Sequence, residues 1–138
     1  MMNTILITGS ARGIGCELAK QYAEAGWRVF ATTRSPDKAD ELNALASIMD
    51  NLTVHRMDVS DAQSVGAFAA ELGDQPVDVL LNNAGVFGGL ETQTFQNMNY
   101  ENWAFEFNVM AMGPFRVIQT LLPNVLLGRQ KKIVTLSS

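Results

Sequence analysis

The sequence predicts an α/β fold, a doubly wound parallel sheet in strand order 3-2-1-4-5. Three observations carry this expectation. Short apolar runs rich in β-branched residues alternate with longer segments of helical period along the whole chain. The first, fourth and fifth runs are almost continuously apolar, as in parallel strands covered on both faces. The stretch Ile5-Leu6-Ile7-Thr8-Gly9-Ser10-Ala11-Arg12-Gly13-Ile14-Gly15 reads as a strand, a glycine-punctuated turn and the start of a helix. Right-handed crossovers between successive parallel strands then favour the stated order.

The first strand is expected over Thr4–Thr8. The helix that follows, about Gly13 to Ala25, sets Ile14, Leu18, Tyr22 and Ala25 on one stripe, and Gly26 suits its end. Arg28–Thr33 forms the second strand. Ser35 can cap a further helix with Pro36 in its first position, running to about Met49 and burying Leu42, Leu45 and Met49. The third strand is Leu52–Met57. Ser60-Asp61-Ala62-Gln63 reads as a capping box for a helix carrying Val65, Phe68, Ala69 and Leu72, closed by Gly73. The fourth strand is Val77–Asn82. A loop with Gly85, Gly88 and Gly89 leads to Asn99, a cap for a long helix from Tyr100 to about Leu127. Trp103, Phe107, Met110, Ala111, Ile118, Leu121, Leu122 and Val125 line it, and Pro114 predicts a kink. The last strand is Lys132–Ser137.

Composition narrows the function classes. The 138 residues are one domain's worth of chain, and an apolar fraction of 47% argues against disorder. Fourteen acidic residues against ten basic ones give a formal charge of −4 with no basic run, which argues against nucleic acid as a partner. The lone Cys16 cannot form an internal disulfide, so a reducing cytoplasm is the expected location. No apolar stretch approaches the ~18 residues of a membrane span, and no signal peptide is evident. No His, Cys and carboxylate cluster is spaced for a metal. His55, the only histidine, reads as structural. Cys16, at a helix start, reads as a packing residue, although that position can lower a thiol pKa.

The predicted topology gathers Gly9–Gly15, Thr33-Arg34, Asp58-Val59, Asn82–Gly85 and Ser137-Ser138 at the C-terminal ends of the strands, where open α/β sheets bind ligands. A strand-to-helix turn aims unpaired N–H groups and a helix dipole at one point, which suits a phosphate. The spacing is G-x-x-x-G-x-G, and no Lys-Ser or Lys-Thr pair follows, so a P-loop is excluded.

With these residues in view, the chain resembles the short-chain dehydrogenase/reductase family along its entire length. The resemblance rests on Thr8-Gly9-x-x-x-Gly13-Ile14-Gly15, Asp58-Val59, Asn82-Asn83-Ala84-Gly85, Asn108 and Ile133-Val134-Thr135-Leu136-Ser137-Ser138. A further similarity, in Asn108-x-x-x-x-Gly113-Pro114, points to the C-factor-like and sniffer-like carbonyl reductase branch. The resemblance implies a Rossmann-like dinucleotide-binding domain spanning residues 1–138 and a nicotinamide cofactor. Gly9, Ser10, Arg12, Gly13, Ile14 and Gly15 would receive its phosphates, Asp58 and Val59 its adenine, and Asn83, Ala84 and Gly85 its adenosine ribose. Asn108 would anchor a proton-relay water, and Ser138, rather than Ser137 one position earlier, would bind the substrate oxygen. The family's Tyr-x-x-x-Lys is missing: Tyr22 is followed four residues later by Gly26, and Tyr100 by Ala104. The polypeptide is therefore expected to be the N-terminal part of a longer single-domain enzyme, inactive by itself.

An NAD site places an acidic residue at the end of the second strand. Here that position is Thr33, followed by Arg34, and Arg12 lies in the glycine turn. One Arg there could merely solvate a strand end. The pair together suits a 2′-phosphate, so NADP(H) is expected rather than NAD. The function read in this way is hydride transfer between nicotinamide and a small carbonyl or alcohol substrate. The alternative is a regulatory nucleotide-binding protein without turnover. By family resemblance the long helix also implies a homodimer or homotetramer, while Trp103, Phe105 and Phe107 pack either in the core or on that helix face.

Overall fold

The computed structural model describes residues 2–137. Five parallel strands, β1 (Thr4–Ile7), β2 (Arg28–Thr33), β3 (Leu52–Arg56), β4 (Val79–Asn82) and β5 (Lys132–Thr135), form one sheet in the order β3-β2-β1-β4-β5. The doubly wound arrangement and strand order read from the alternation are the ones observed. In register, Leu6 lies between Phe30 and Leu80, and Asn82 lies beside Thr135.

Helices cover both faces: α1 (Gly13–Glu24), α2 (Asp40–Ile48), α3 (Ala62–Leu72), α4 (Tyr100–Phe107) and α5 (Gly113–Leu127). One apolar cluster joins Ile5, Ile7, Val29, Ala31, Val79 and Leu81 to α1 and α2. The other joins Leu6, Phe30 and Leu80 to Phe68 of α3 and Val117, Leu121 and Val125 of α5. This split follows from the alternation of side chains across a strand.

The structure corrects several local expectations. The segment after Pro36 is not one helix: Pro36–Lys38 makes a single 3₁₀ turn, Ala39 leaves helical geometry, and α2 starts at Asp40. Ser35 makes no side-chain cap bond. Asp61, not Ser60, caps α3 by accepting from the Gln63 N–H at 2.9 Å, while the Ser60 hydroxyl turns back to Asp58. On α1 the buried positions are Gly15, Cys16, Ala19 and Ala23, one step round from the expected stripe, and Ile14 is 67% exposed. Small residues on that face let α1 lie close to the sheet.

The long helix is interrupted. Asn99 caps α4 as expected, accepting from the Asn102 N–H at 3.0 Å. Asn108–Met112 then forms a π turn before α5, with Pro114 as the second residue of α5. Pro114 has no N–H to give the Met110 carbonyl, so the break expected at this proline takes the form of a wider turn just before it. The apolar stripe fails across the break. No residue of α4 is buried, and Trp103, Phe107 and Met110 are exposed, so the core positions are Val109, Val117, Leu121 and Val125.

At the opposite end of the sheet Asp78 is 3% exposed, and its carboxylate accepts the N–H groups of Thr4, Arg129 and Gln130 at 2.8, 2.7 and 3.1 Å. Burial alone would raise its pKa, but these three bonds and the Arg129 charge hold it below the usual carboxylate range. On β5, Ile133 and Val134 remain exposed at the sheet edge. Among the described residues no helix is long and apolar enough to cross a membrane.

Candidate cofactor and catalytic site

The glycine turn sits on the C-terminal end of β1 and is fastened from both sides. Gly9 and Gly13 have φ of 64° and 61°, a left-handed geometry that glycine adopts without strain. A Cβ on Gly9 would stand 2.6 Å from the Ala84 Cα, and one on Gly15 would overlap the Gly9 carbonyl and the Asn83 side chain. At Gly13 a Cβ would meet nothing within 4 Å, so that position faces open space. Ile14 beside it is likewise exposed.

Thr8 links this turn to the segment after β4. Its hydroxyl oxygen accepts from the N–H groups of Asn83 and Ala84, both at 3.0 Å. The Asn83 side chain in turn donates to the Gly9 carbonyl at 3.1 Å. Ser10 is wholly buried, with its hydroxyl on the Ile7 carbonyl at 2.7 Å and its N–H on the Thr32 carbonyl at 3.0 Å. Both of its donors are thus committed to shaping the turn. Gly85 is exposed beyond this junction. At the end of β4, Asn82 is 3% exposed, and neither polar atom of its amide has a partner among the described residues. A buried amide in that state calls for a water or a ligand group.

Thr33 is buried at the end of β2, accepting from the Ser35 N–H at 3.3 Å, while Arg34 and Arg12 project to solvent. Neither guanidinium has a hydrogen bond or ion pair among the described residues. Two uncompensated cations therefore stand at this end of the sheet, Arg12 in the glycine turn and Arg34 just after β2.

The Asp58–Ser60 turn after β3 is held on every side. The Asp58 N–H donates to the Ser64 hydroxyl at 2.8 Å, and Asp58 Oδ1 accepts the Ser60 N–H and hydroxyl at 3.0 and 2.6 Å. Val59 is buried, and its carbonyl accepts from Arg116 of α5. Asn108, in the π turn, donates to the Ser60 carbonyl at 3.1 Å and accepts from Arg116 at 3.1 Å. Ser138 lies outside the described residues.

A dinucleotide fits these residues. The cradle is one a Cβ would fill at Gly9 and Gly15, it opens outward at Gly13, and cations stand on its rim. The sequence reading named Thr8 within the glycine motif without giving it a role, and it missed Arg116. Thr8 was visible as a hydroxyl ending a strand against a glycine, but Arg116 carried no local signal, because one partner is the distant Val59 carbonyl and the other, Asn108, lies in the π turn. Cys16 is buried and its pKa is raised, first by burial and then by Glu41 and Glu17, which removes the activated-thiol option. His55 bridges Thr53 and Glu71 and packs between Phe30 and Phe68, a structural setting. Among the described residues no group of His, Cys, Asp and Glu could hold a metal.

The sequence model of the short chain dehydrogenase family matches residues 3–138. The chain belongs to this family. An uncharacterized oxidoreductase of Bacillus subtilis (strain 168) is 31% identical over 138 residues, covering 96% of this chain and 48% of its own length. A short-chain dehydrogenase/reductase from Burkholderia multivorans with bound NADP superposes with a TM-score of 0.88 at 30% identity, covering 100% of this chain and 59% of the other. A carbonyl reductase from Pseudomonas aeruginosa PAO1 in complex with NADP gives a TM-score of 0.89 at 29% identity, with coverages of 100% and 59%. The short-chain dehydrogenase chain described here spans about half the length of the curated relatives it matches.

Proposed function

We propose that this short-chain dehydrogenase chain forms the NADP(H)-binding part of an oxidoreductase acting on a small carbonyl or alcohol substrate. The observation that carries the reading is the outward-opening glycine cradle with Arg12 and Arg34 unpaired beside it. Gly9, Gly13, Ile14 and Gly15 approach the phosphates, and Ser10 keeps the turn in shape. Thr33 and Arg34 take the 2′-phosphate end with Arg12. Asp58 and Val59 hold the adenine, and Asn83, Ala84 and Gly85 the adenosine ribose.

The bound nicotinamide supplies or accepts the hydride. Ser138 orients the substrate oxygen, and Asn108 anchors the proton relay. The Bacillus relative bears the name of an uncharacterized oxidoreductase and the Pseudomonas structure that of a carbonyl reductase, which supports a redox role over the non-catalytic alternative. The exposed apolar surface of α4 and α5, with Trp103, Phe107 and Phe115, is assigned to a homodimer or homotetramer contact. A cytoplasmic location accords with the unpaired Cys16.

Fluorescence titration with NADPH and NADH tests the reading. The chain is expected to prefer NADPH, and Arg34→Ala to weaken NADPH by roughly 10- to 100-fold, the loss expected for charge-assisted bonds to phosphate, with little effect on NADH. Unchanged NADPH affinity in Arg34→Ala would overturn the 2′-phosphate assignment. Failure of the parent chain to bind either dinucleotide would overturn the whole reading.

A further inference from the structure

We infer that Arg116 is a positioning residue that locks the Asp58–Ser60 turn and Asn108 into one unit, coupling the adenine end of the site to its catalytic end. The inference rests on the dinucleotide reading above and adds to it a residue outside the glycine turn.

The argument is an accounting of acceptors. Three successive carbonyls of the turn need donors. Asp58 O receives the Asp61 N–H at 3.1 Å, which is local. Among the described residues the carbonyls of Val59 and Ser60 have no donor within the turn, and both are served from the helical segment packed beside it, by Arg116 and Asn108 respectively. Arg116 also bonds Asn108 Oδ1, and this fixes which way the Asn108 amide faces. With Oδ1 on the guanidinium, the amide NH₂ must point at the Ser60 carbonyl. Without Arg116, no bond on the Oδ1 side selects that orientation.

The reach is explained by the helix. Cα–Cβ bonds tilt toward the N-terminus, so a long side chain two turns after Asn108 points back at it. The π turn and Pro114 set α5 at the place where this return closes. Gly113 allows the close approach, because a Cβ there would stand 2.9 Å from a Val59 methyl. A planar guanidinium serves two separate acceptors at once, which an ammonium on a flexible stem does less well.

The test uses adenosine 2′,5′-bisphosphate, the adenine half of NADP, titrated by calorimetry into the chain, Arg116→Gln, Arg116→Lys, Asp58→Ala and the Arg116→Gln/Asp58→Ala double variant. Circular dichroism establishes folding. Arg116→Gln is expected to bind roughly tenfold more weakly, and Arg116→Lys to recover part of that loss. In the Asp58→Ala background the same change is expected to cost less than about threefold, because Arg116 acts through the turn that carries Asp58.

Unchanged binding in Arg116→Gln, or an equal loss in both backgrounds, would overturn the inference. If Arg116→Gln does not fold, Arg116→Lys is compared in both backgrounds by the same criterion. A parent chain that fails to bind the probe refutes the dinucleotide reading itself, a result distinct from any effect of Arg116.

Discussion

Replacing Gly9 and Gly13 by alanine, one at a time, separates backbone strain from steric overlap in the same turn. Both glycines have positive φ, near 60°, so each alanine meets the left-handed penalty of about 1–2 kcal/mol. Both changes also restrict the unfolded chain, which returns about 0.4–1 kcal/mol. At Gly13 nothing further is added, because the new methyl enters open space, and the net loss is about 1 kcal/mol. At Gly9 the methyl would lie 2.6 Å from the Ala84 Cα and 2.9 Å from its nitrogen. Those are backbone atoms held by Thr8, so the turn must shift at a further cost of about 1–3 kcal/mol. The expected net loss at Gly9 is about 3 kcal/mol, or a Tm lower by about 10 °C against about 3 °C for Gly13→Ala. Thermal unfolding followed by circular dichroism, with urea titration as a check, measures both. If Gly9→Ala unfolds no earlier than Gly13→Ala, the close approach of the β1 turn to Ala84 is refuted.

Thr8→Val keeps the shape but removes the oxygen that accepts two N–H groups, so it is expected to lower stability by about 1–3 kcal/mol and weaken NADPH, as read by urea unfolding and fluorescence. Asp78→Asn is expected to cost about 2 kcal/mol at neutral pH, because a carboxylate accepting three N–H groups becomes a half-donor. Since the folded pKa of Asp78 lies below its unfolded value, the unfolded chain binds the proton first as pH falls. The carboxylate's contribution is present above the ordinary carboxylate range and is lost as pH drops through the folded value. The Tm of the parent chain should therefore fall more steeply in acid than that of Asp78→Asn, and parallel curves would contradict the clasp. Phe68→Ala, at 1% exposure between α3 and the sheet, is expected to cost about 3–5 kcal/mol by denaturant titration, and a loss under 1 kcal/mol would remove it from the core.

The strands and their order were legible because β1 and β4 are buried on both faces, and such strands cannot hide their apolar runs. The turn at Gly9–Gly15 was legible because its conformations demand glycine at fixed spacing. The stripe on the long helix was not. A π turn adds a residue to one turn, which shifts the phase of every later position, so a single 3.6-residue count across Pro114 assigned Trp103 and Met110 to a face they do not share with Leu121. The α1 stripe failed for a different reason. Hydrophobicity alone favoured Ile14, whereas close packing on the sheet selected Gly15, Ala19 and Ala23 by size. At the site, the role of Thr8 and the presence of Arg116 were not legible because both act through bonds to segments distant in sequence, and local pattern contains no record of those.

The carboxylate of Asp78 brings together Thr4 and Arg129, which are 74 and 51 positions away from it along the chain. The rim where the strands begin is thereby riveted, while the rim where they end is open around the exposed Gly13. Rigidity and receptivity thus occupy opposite poles of one sheet, and a ligand can be admitted at one without loosening the other. Hydrogen–deuterium exchange displays the polarity directly, with the amides of Thr4, Arg129 and Gln130 exchanging slowly and that of Gly13 rapidly.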